Sequence, residues 1–446
     1  MSNRSVLGIH EDCDPRDTQT MSSAKSISLR SLPDWLAYIE TLHPSRMELG
    51  LERVTQVAQR LEVLTFNCPV VTVAGTNGKG STVALTAAIL SAAGYRVGTY
   101  TSPHLIHYQE RIQIAGQCIS SQDLCRAFLQ IEKNRADIPL TYFEFGTLAA
   151  LWTFKQATLD AIVLEIGLGG RLDAVNCVDA DLAIISMIDL DHMNWLGDTR
   201  EKIGLEKAGI LRPNRPCVCG DFAPPESIRN AAQSLACPLY QQGIEFDYKI
   251  QVQSQSWSWN SQQLSLRDLP LPNIDCQNAA TVLQAIELLG DHFIITPLAI
   301  QEGLKRVFIP GRFQIIEKNA RQIIIDVAHN PAGGECLSKR LANTPCLGNT
   351  YAVVGMLADK DISNTLRPLR HHVDHWTVCD LAEPRGAKAT QLKQALLDLE
   401  VSQIIVAFSS PDLAFQRAYS QLQKNDRLLV FGSFHTAAAI YRYLED

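Results

Sequence analysis

The sequence predicts an α/β protein in two lobes, and three observations carry that reading. Apolar β-rich runs alternate with helical patterns almost throughout the 446 residues, the signature of mostly parallel, doubly wound sheets. One strand candidate enters a glycine-rich turn, Val71-Thr-Val-Ala-Gly75-Thr-Asn-Gly78-Lys79-Gly80-Ser81-Thr82, of the kind that cradles phosphate. Pro310-Gly311 then separates a long first βα series from a shorter second one. The expected architecture is an N-terminal phosphate-loop domain with a small antiparallel edge sheet, followed by a smaller C-terminal α/β domain.

In the first series, strands are expected at 69–74, 96–100, 159–166, 181–188 and 215–220. Helical periodicity falls at 81–93, 121–134, 145–156, 199–210 and 225–236. Residues 245–272, with Trp257 and Trp259 among alternating polar residues, read as antiparallel hairpins. Helices resume at 278–289 and 298–307. The second series has strands at 322–326, 350–356, 376–381, 403–408 and 427–431, each followed by a helical segment. Residues 1–30 are polar, lack the apolar run of a secretory signal and have a disordered composition. Met21 is a candidate natural start. The division is thus a 1–30 tail, a 31–309 nucleotide-binding domain and a 310–446 second domain.

Composition narrows the function. Hydrophobic content of 46% with 20% charge is that of a soluble globular protein. A net charge of −7 offers no footprint for nucleic acid or an anionic membrane. No apolar run reaches membrane-spanning length. Twelve cysteines occur without a C-x-x-C, and Cys217 and Cys219 share one face of a strand. They read as buried free thiols in a reducing cytoplasm.

The glycine-rich turn lets backbone N–H groups converge on an anion while the Lys79 ammonium reaches terminal phosphate oxygens. It departs from G-x-x-x-x-G-K-[ST]: Val73 stands at the first glycine, and Gly80 separates Lys79 from Ser81. Lys79 is read as an exposed loop residue whose loss would spare the fold. Other polar residues recur at carboxyl ends of strands, where open parallel sheets bind ligands. They are Thr101-Ser102-Pro-His104, Glu165 before Gly167-Leu-Gly-Gly170, Asp189 with Asp191-His192, and Asp326 before His329-Asn330. Glu165 reads either as a solvated strand end or as a metal or phosphate-site carboxylate. His192 reads as a cap, a core residue or a ligand. Hydroxyl, carboxylate, imidazole and phosphate together suit magnesium. Lys207 alone passes for a surface residue.

These motifs jointly resemble folylpolyglutamate synthases of the Mur ligase superfamily, most of all the bifunctional bacterial type that also makes dihydrofolate. The resemblance rests on the phosphate loop, Ser102-Pro-His-Leu105 with Glu110-Arg111, and Leu140-Thr-Tyr-Phe-Glu-Phe-Gly146. It rests equally on Glu165-Ile-Gly-Leu-Gly-Gly-Arg-Leu-Asp-Ala174, Asp191-His192, Glu206-Lys-Ala-Gly-Ile210, Pro310-Gly-Arg-Phe-Gln314 and Asp326-Val-Ala-His-Asn-Pro331. It covers residues 32–445 and implies a Mur-ligase-type ATPase domain followed by a Rossmann-like glutamate-ligase domain. The implied enzyme uses ATP and Mg2+ to join L-glutamate to dihydropteroate and to reduced folates. An acyl phosphate is the intermediate, and ADP and phosphate are released.

Carried across residue by residue, the resemblance implies that Gly78, Lys79, Gly80 and Ser81 hold the ATP phosphates, with Asn278, Arg312 and Asp326 also at the nucleotide. Ser102, Glu165 and His192 match the magnesium positions, and Lys79, His192 and Lys207 the catalytic ones. Lys207 resembles a lysine that is carbamylated in this superfamily. Glu48-Leu49-Gly50, Thr141-Tyr142-Phe143-Glu144 and Leu172-Asp173-Ala174 match the dihydropteroate site, although Tyr142 and Phe143 suit a core equally. His329, Arg385 and His435 are candidates for glutamate or the acyl phosphate. The resemblance also implies a cytoplasmic monomer without nucleic-acid or membrane partners. Two alternatives remain at this point: another Mur-type amino-acid ligase, or a nucleotide-gated binding protein. The 74 residues before Gly75 are short for the UDP-binding domain that peptidoglycan ligases carry there.

Overall fold

The computed structural model describes residues 30–43, 48–251 and 253–445. Nearly all of the expected tail, Met21 included, lies outside the described residues. The first lobe is built on eight strands: β1 Val70–Ala74, β2 Val97–Tyr100, β3 Ile112–Ile114, β4 Gln117–Cys118, β5 Ala161–Glu165, β6 Leu182–Ile185, β7 Cys217–Cys219 and β8 Leu239–Gln241. Their order is β4-β3-β2-β5-β1-β6-β7-β8. Pairing is parallel from β2 to β8, and the β3–β4 hairpin adds antiparallel strands at one edge.

Central strands built almost wholly of apolar residues must be covered on both faces, and β1, β5 and β6 are buried at every position. Ile162 and Leu164 of β5 point into one core, Ala161 and Val163 into the other. Helices Tyr142–Gln156 and Ser121–Arg135 cover the first face. Helices Lys79–Ala92, Cys276–Leu288 and Pro297–Arg306 cover the second. A three-stranded antiparallel sheet, β9 Phe246–Gln251, β10 Ser256–Ser261 and β11 Ser265–Pro270, extends that layer by burying Trp257 and Trp259. Cys217 and Cys219 point into one core, as the alternation predicts, and the cysteines among the described residues are unpaired.

The second lobe has six strands: β12 Gln314–Lys318, β13 Arg321–Ile325, β14 Thr350–Val354, β15 His375–Cys379, β16 Ile405–Phe408 and β17 Arg427–Phe431, in the order β12-β13-β17-β14-β15-β16. All pairs are parallel except β12–β13. Pro310-Gly311 lies in the loop between Pro297–Arg306 and β12. Two hairpins depart from the expectation. β3–β4 turns at Ala115 and Gly116, and β12–β13 turns at Asn319 and Ala320, all four with positive φ. Four helices begin earlier than expected, at Lys79, Tyr142, Cys276 and Pro297. Among the described residues no helix is long and apolar enough to cross a membrane.

Candidate active site

The carboxyl ends of β1, β2, β5 and β6 face the second lobe across a cleft of about 640 Å³, which adjoins a second cavity of about 370 Å³. Of the residues matched above to catalytic, nucleotide, magnesium or dihydropteroate positions, all but one line these two spaces. Glu48, Leu49, Gly50, Gly78, Lys79, Gly80, Ser102, Thr141, Phe143, Glu144, Glu165, Leu172, Asp173, Ala174, His192, Lys207 and Arg312 line the larger. Gly78, Ser81, Asn278, Arg312 and Asp326 line the smaller. Tyr142 lines neither. It is half-buried against the first core, edge-on to Tyr108 with ring centroids 5.7 Å apart.

The phosphate loop owes its shape to glycine. Gly75 lets the chain pass Ser186, whose Oγ lies 1.8 Å from where a Cβ would stand. Gly78 has φ +88°, and a side chain there would collide with Asn278. Lys79 is not the exposed loop residue expected from sequence. It opens the helix, is half-buried, and its ammonium donates to the Gly75 and Thr76 carbonyls at 3.1 and 3.3 Å. Burial, reinforced by Arg312, lowers its pKa, although Glu165 opposes this.

Glu165 ends β5 fully inside the protein. One oxygen accepts from the Ser102 N–H at 3.0 Å, and the carboxylate faces the backbone of Gly80. Burial raises its pKa against the charges of Lys79 and Arg312. Lys207, equally buried, loses its proton more easily: burial, with Lys79 close by, pushes it down to about 7. Gly170 lets the glycine run lie against this helix, because a Cβ there would meet the Glu206 carbonyl at 2.7 Å. Lys79 and Arg312 beside Glu165 leave the centre of the cleft net positive, which suits a polyphosphate.

At the far side Thr141 and Glu144 form a capping box: the Glu144 N–H donates to Thr141 Oγ1 at 3.2 Å and the Thr141 N–H to Glu144 Oε2 at 2.7 Å. The other Glu144 oxygen pairs with Arg53 at 3.2 Å, and Arg53 also pairs with Glu48. Asp173 accepts from the Leu168 and Val175 amides at 2.8 and 3.0 Å, and burial pushes its pKa up to about 7. Asp326 uses its two oxygens on the Phe313 and Ala328 amides, both at 2.7 Å, fixing the turn that carries Arg312.

Sequence reasoning missed the seam between the lobes. Asn330 exchanges amide hydrogen bonds with Asn77 at 3.0 and 3.1 Å and donates to Asp191 at 3.1 Å. Lys360 meets the other Asp191 oxygen at 2.7 Å. Burial opposes ionisation of Asp191, but His192, Lys360 and His329 outweigh it and hold the carboxyl well below its usual range. His192 is exposed, with φ +51°. His329, Arg385 and His435 line the larger cavity.

A phosphate loop facing a second α/β lobe across such a cleft defines a Mur-type ligase. The family profile of the Mur ligase middle domain matches residues 73–294, and that of the Mur ligase glutamate ligase domain matches 311–434. The dihydrofolate synthase/folylpolyglutamate synthase of Escherichia coli (strain K12) is 45% identical over 414 residues, covering 93% of this chain and 96% of that one. The structure of E. coli FolC in complex with DHPP and ADP aligns with a TM-score of 0.89 and 44% identity, covering 94% and 98% of the two chains. The bifunctional folylpolyglutamate synthase/dihydrofolate synthase of Yersinia pestis, complexed with AMPPNP and Mn ion, aligns at 0.88 with 45% identity, covering 94% and 99%. The chain belongs to the Mur ligase family, in its dihydrofolate synthase/folylpolyglutamate synthase branch.

Proposed function

We propose that the chain is an ATP-dependent acid–amino-acid ligase that joins L-glutamate to dihydropteroate and to reduced folates. The observation that carries the reading is one cleft lined by the phosphate loop, the buried Glu165 and Lys207, and the second lobe's Lys360 and Arg385. An acceptor carboxylate oxygen attacks the γ-phosphorus and ADP departs. The glutamate amine then attacks the acyl carbon, loses a proton, and phosphate leaves as the amide forms. Phosphoryl transfer of this kind needs placement and charge neutralisation more than covalent help. Lys79 and the loop amides around Gly78, Gly80 and Ser81 hold the phosphates, while Asn278 and Arg312 flank the nucleotide. Asp326 serves it through the turn that carries Arg312.

Magnesium fits the donor set: a buried carboxylate at Glu165, the Ser102 hydroxyl and the His192 imidazole beside a phosphate loop. Among the described residues no three His, Cys, Asp or Glu side chains form a ready cage, and magnesium bound largely through phosphates and water asks for none. When bound, it neutralises polyphosphate charge. A carbamate on Lys207 would turn a buried lysine into an oxygen donor, and the neutral amine, which burial favours, is the form that reacts with CO2. Electron density at Lys207 in crystals grown near neutral pH tests this; a bare amine there overturns it.

Phe143, Leu49, Gly50, Leu172 and Ala174 form the face for the pterin ring, with Glu48, Thr141, Glu144 and Asp173 supplying polar edges. The division at Pro310-Gly311 into a 31–309 ATP-binding part and a 310–446 glutamate-ligase part belongs to the same proposal. So does a cytoplasmic monomer with no nucleic-acid or membrane partner, which the net charge of −7 supports. Phosphate release from ATP is expected to require both a pteroate or folate acceptor and L-glutamate. Equal release with either omitted overturns the ligase reading.

A further inference from the structure

Arg111 is a charge that this account leaves unused. It ends the turn Tyr108–Arg111, is 9% exposed, and lines the larger cavity. Its Nε donates to His104 Nδ1 at 2.9 Å. The rings of Tyr108 and Tyr142 stand 5.0 and 5.8 Å away. No carboxylate among the described residues makes an ion pair with it. Its neighbour Glu110 is committed to the amides of Leu105 and Ile106 at 2.6 and 2.8 Å, and Glu144 to Thr141 and Arg53.

A guanidinium stays charged at any physiological pH. Buried among tyrosines it gains some cation–π attraction, but it lacks the counter-charge that buried ions ordinarily keep. The remaining donors of its planar fork are free to meet a ligand, and the shape of that fork matches a carboxylate. The cavity it lines is also bordered by Phe143 and Leu172, the proposed pterin face, and by Lys79 and Glu165 at the phosphates. Arg442 from the second lobe lines the same space.

We infer that Arg111 binds the carboxylate end of the acceptor, drawing it out of water and orienting it between the pterin face and the phosphate loop. The inference rests on the proposed function and names the residue that makes the pocket select an acid. The experiment measures calorimetric binding of pteroic acid and of its carboxamide, with ADP present, to the full chain and to Arg111→Met and Arg111→Lys. The full chain is expected to prefer the acid. Arg111→Met should weaken the acid about 30-fold and the carboxamide less than about twofold. Arg111→Lys, which keeps the charge but not the fork, should fall between, again for the acid alone.

Equal loss of both ligands would make Arg111 a support of the pocket wall and overturn the inference. Unchanged binding of both would overturn it too. A raised KM for L-glutamate with acceptor affinity intact would assign the charge to the incoming amino acid, which also overturns it. If the unaltered chain binds neither ligand while retaining ADP, the acceptor reading itself falls.

Discussion

Lys79 shows how much a single side chain's setting changes what its removal does. Its ammonium holds two carbonyls of the loop it belongs to, so Lys79→Ala takes away both the proposed phosphate contact and a brace. The helix it opens keeps its Gly78 cap and its apolar face, including Val83, Leu85 and Ile89. Turnover is therefore expected to fall at least about 100-fold, the scale of a lost transition-state charge partner. The thermal midpoint should drop by no more than about 4 °C. Phosphate-release assays and calorimetry check the two together; a variant that unfolds at growth temperature would show that the brace dominates. Other single residues were only half legible. Thr141 and Glu144 stood out only through the resemblance, as dihydropteroate-site residues, and the structure shows them also capping a helix that the sequence reading began at 145. Arg111 was quoted within a motif but given no role, because its isolation from carboxylates is a property of the surrounding fold.

Elements were legible wherever hydrophobic period and turn chemistry agreed. The parallel strands other than β8, which the sequence reading missed, appeared within a few residues of expectation, since β1, β5 and β6 are buried on both faces. The edge strands β3, β4 and β12 were not, because their turns place alanines, Ala115 and Ala320, at positive φ, where alanine gives no turn signal. Helix packing was beyond the sequence as well. Gly303 on Pro297–Arg306 lies so close to Lys79–Ala92 that a Cβ would stand 2.7 Å from the Ile89 Cα and 2.8 Å from its nitrogen. Backbone atoms cannot step aside as a side-chain tip can. Gly303→Val should force these helices apart and cost about 1–3 kcal/mol, read as a lower urea midpoint. Because the displaced helix carries Lys79, ATP affinity should weaken with it. An unchanged midpoint would show that the two helices separate freely.

At the scale of the whole molecule the question is what brings two independently folded sheets to one reaction. Polar residues at four strand ends pointed to a shared cleft, but the partners that close it come from distant loops whose meeting no local pattern encodes. Asp191 is the hub: Asn330 links it to Asn77 on the phosphate loop, and Lys360 reaches it from the loop after β14. The Lys360 and Asp191 side chains are only 9% and 10% exposed, so removing one leaves the other buried without its charge partner. Such a loss costs about 3 kcal/mol or more, and here it is charged to the contact between lobes rather than to either core. Lys360→Met is therefore expected to leave both lobes folded and ADP bound, while small-angle scattering shows a more extended particle. Glutamate ligation should fall about tenfold or more, since the acyl phosphate would form without the second lobe held against it. Compact scattering with full activity in this variant would show that the Asp191 network is a consequence of closure and not what holds it.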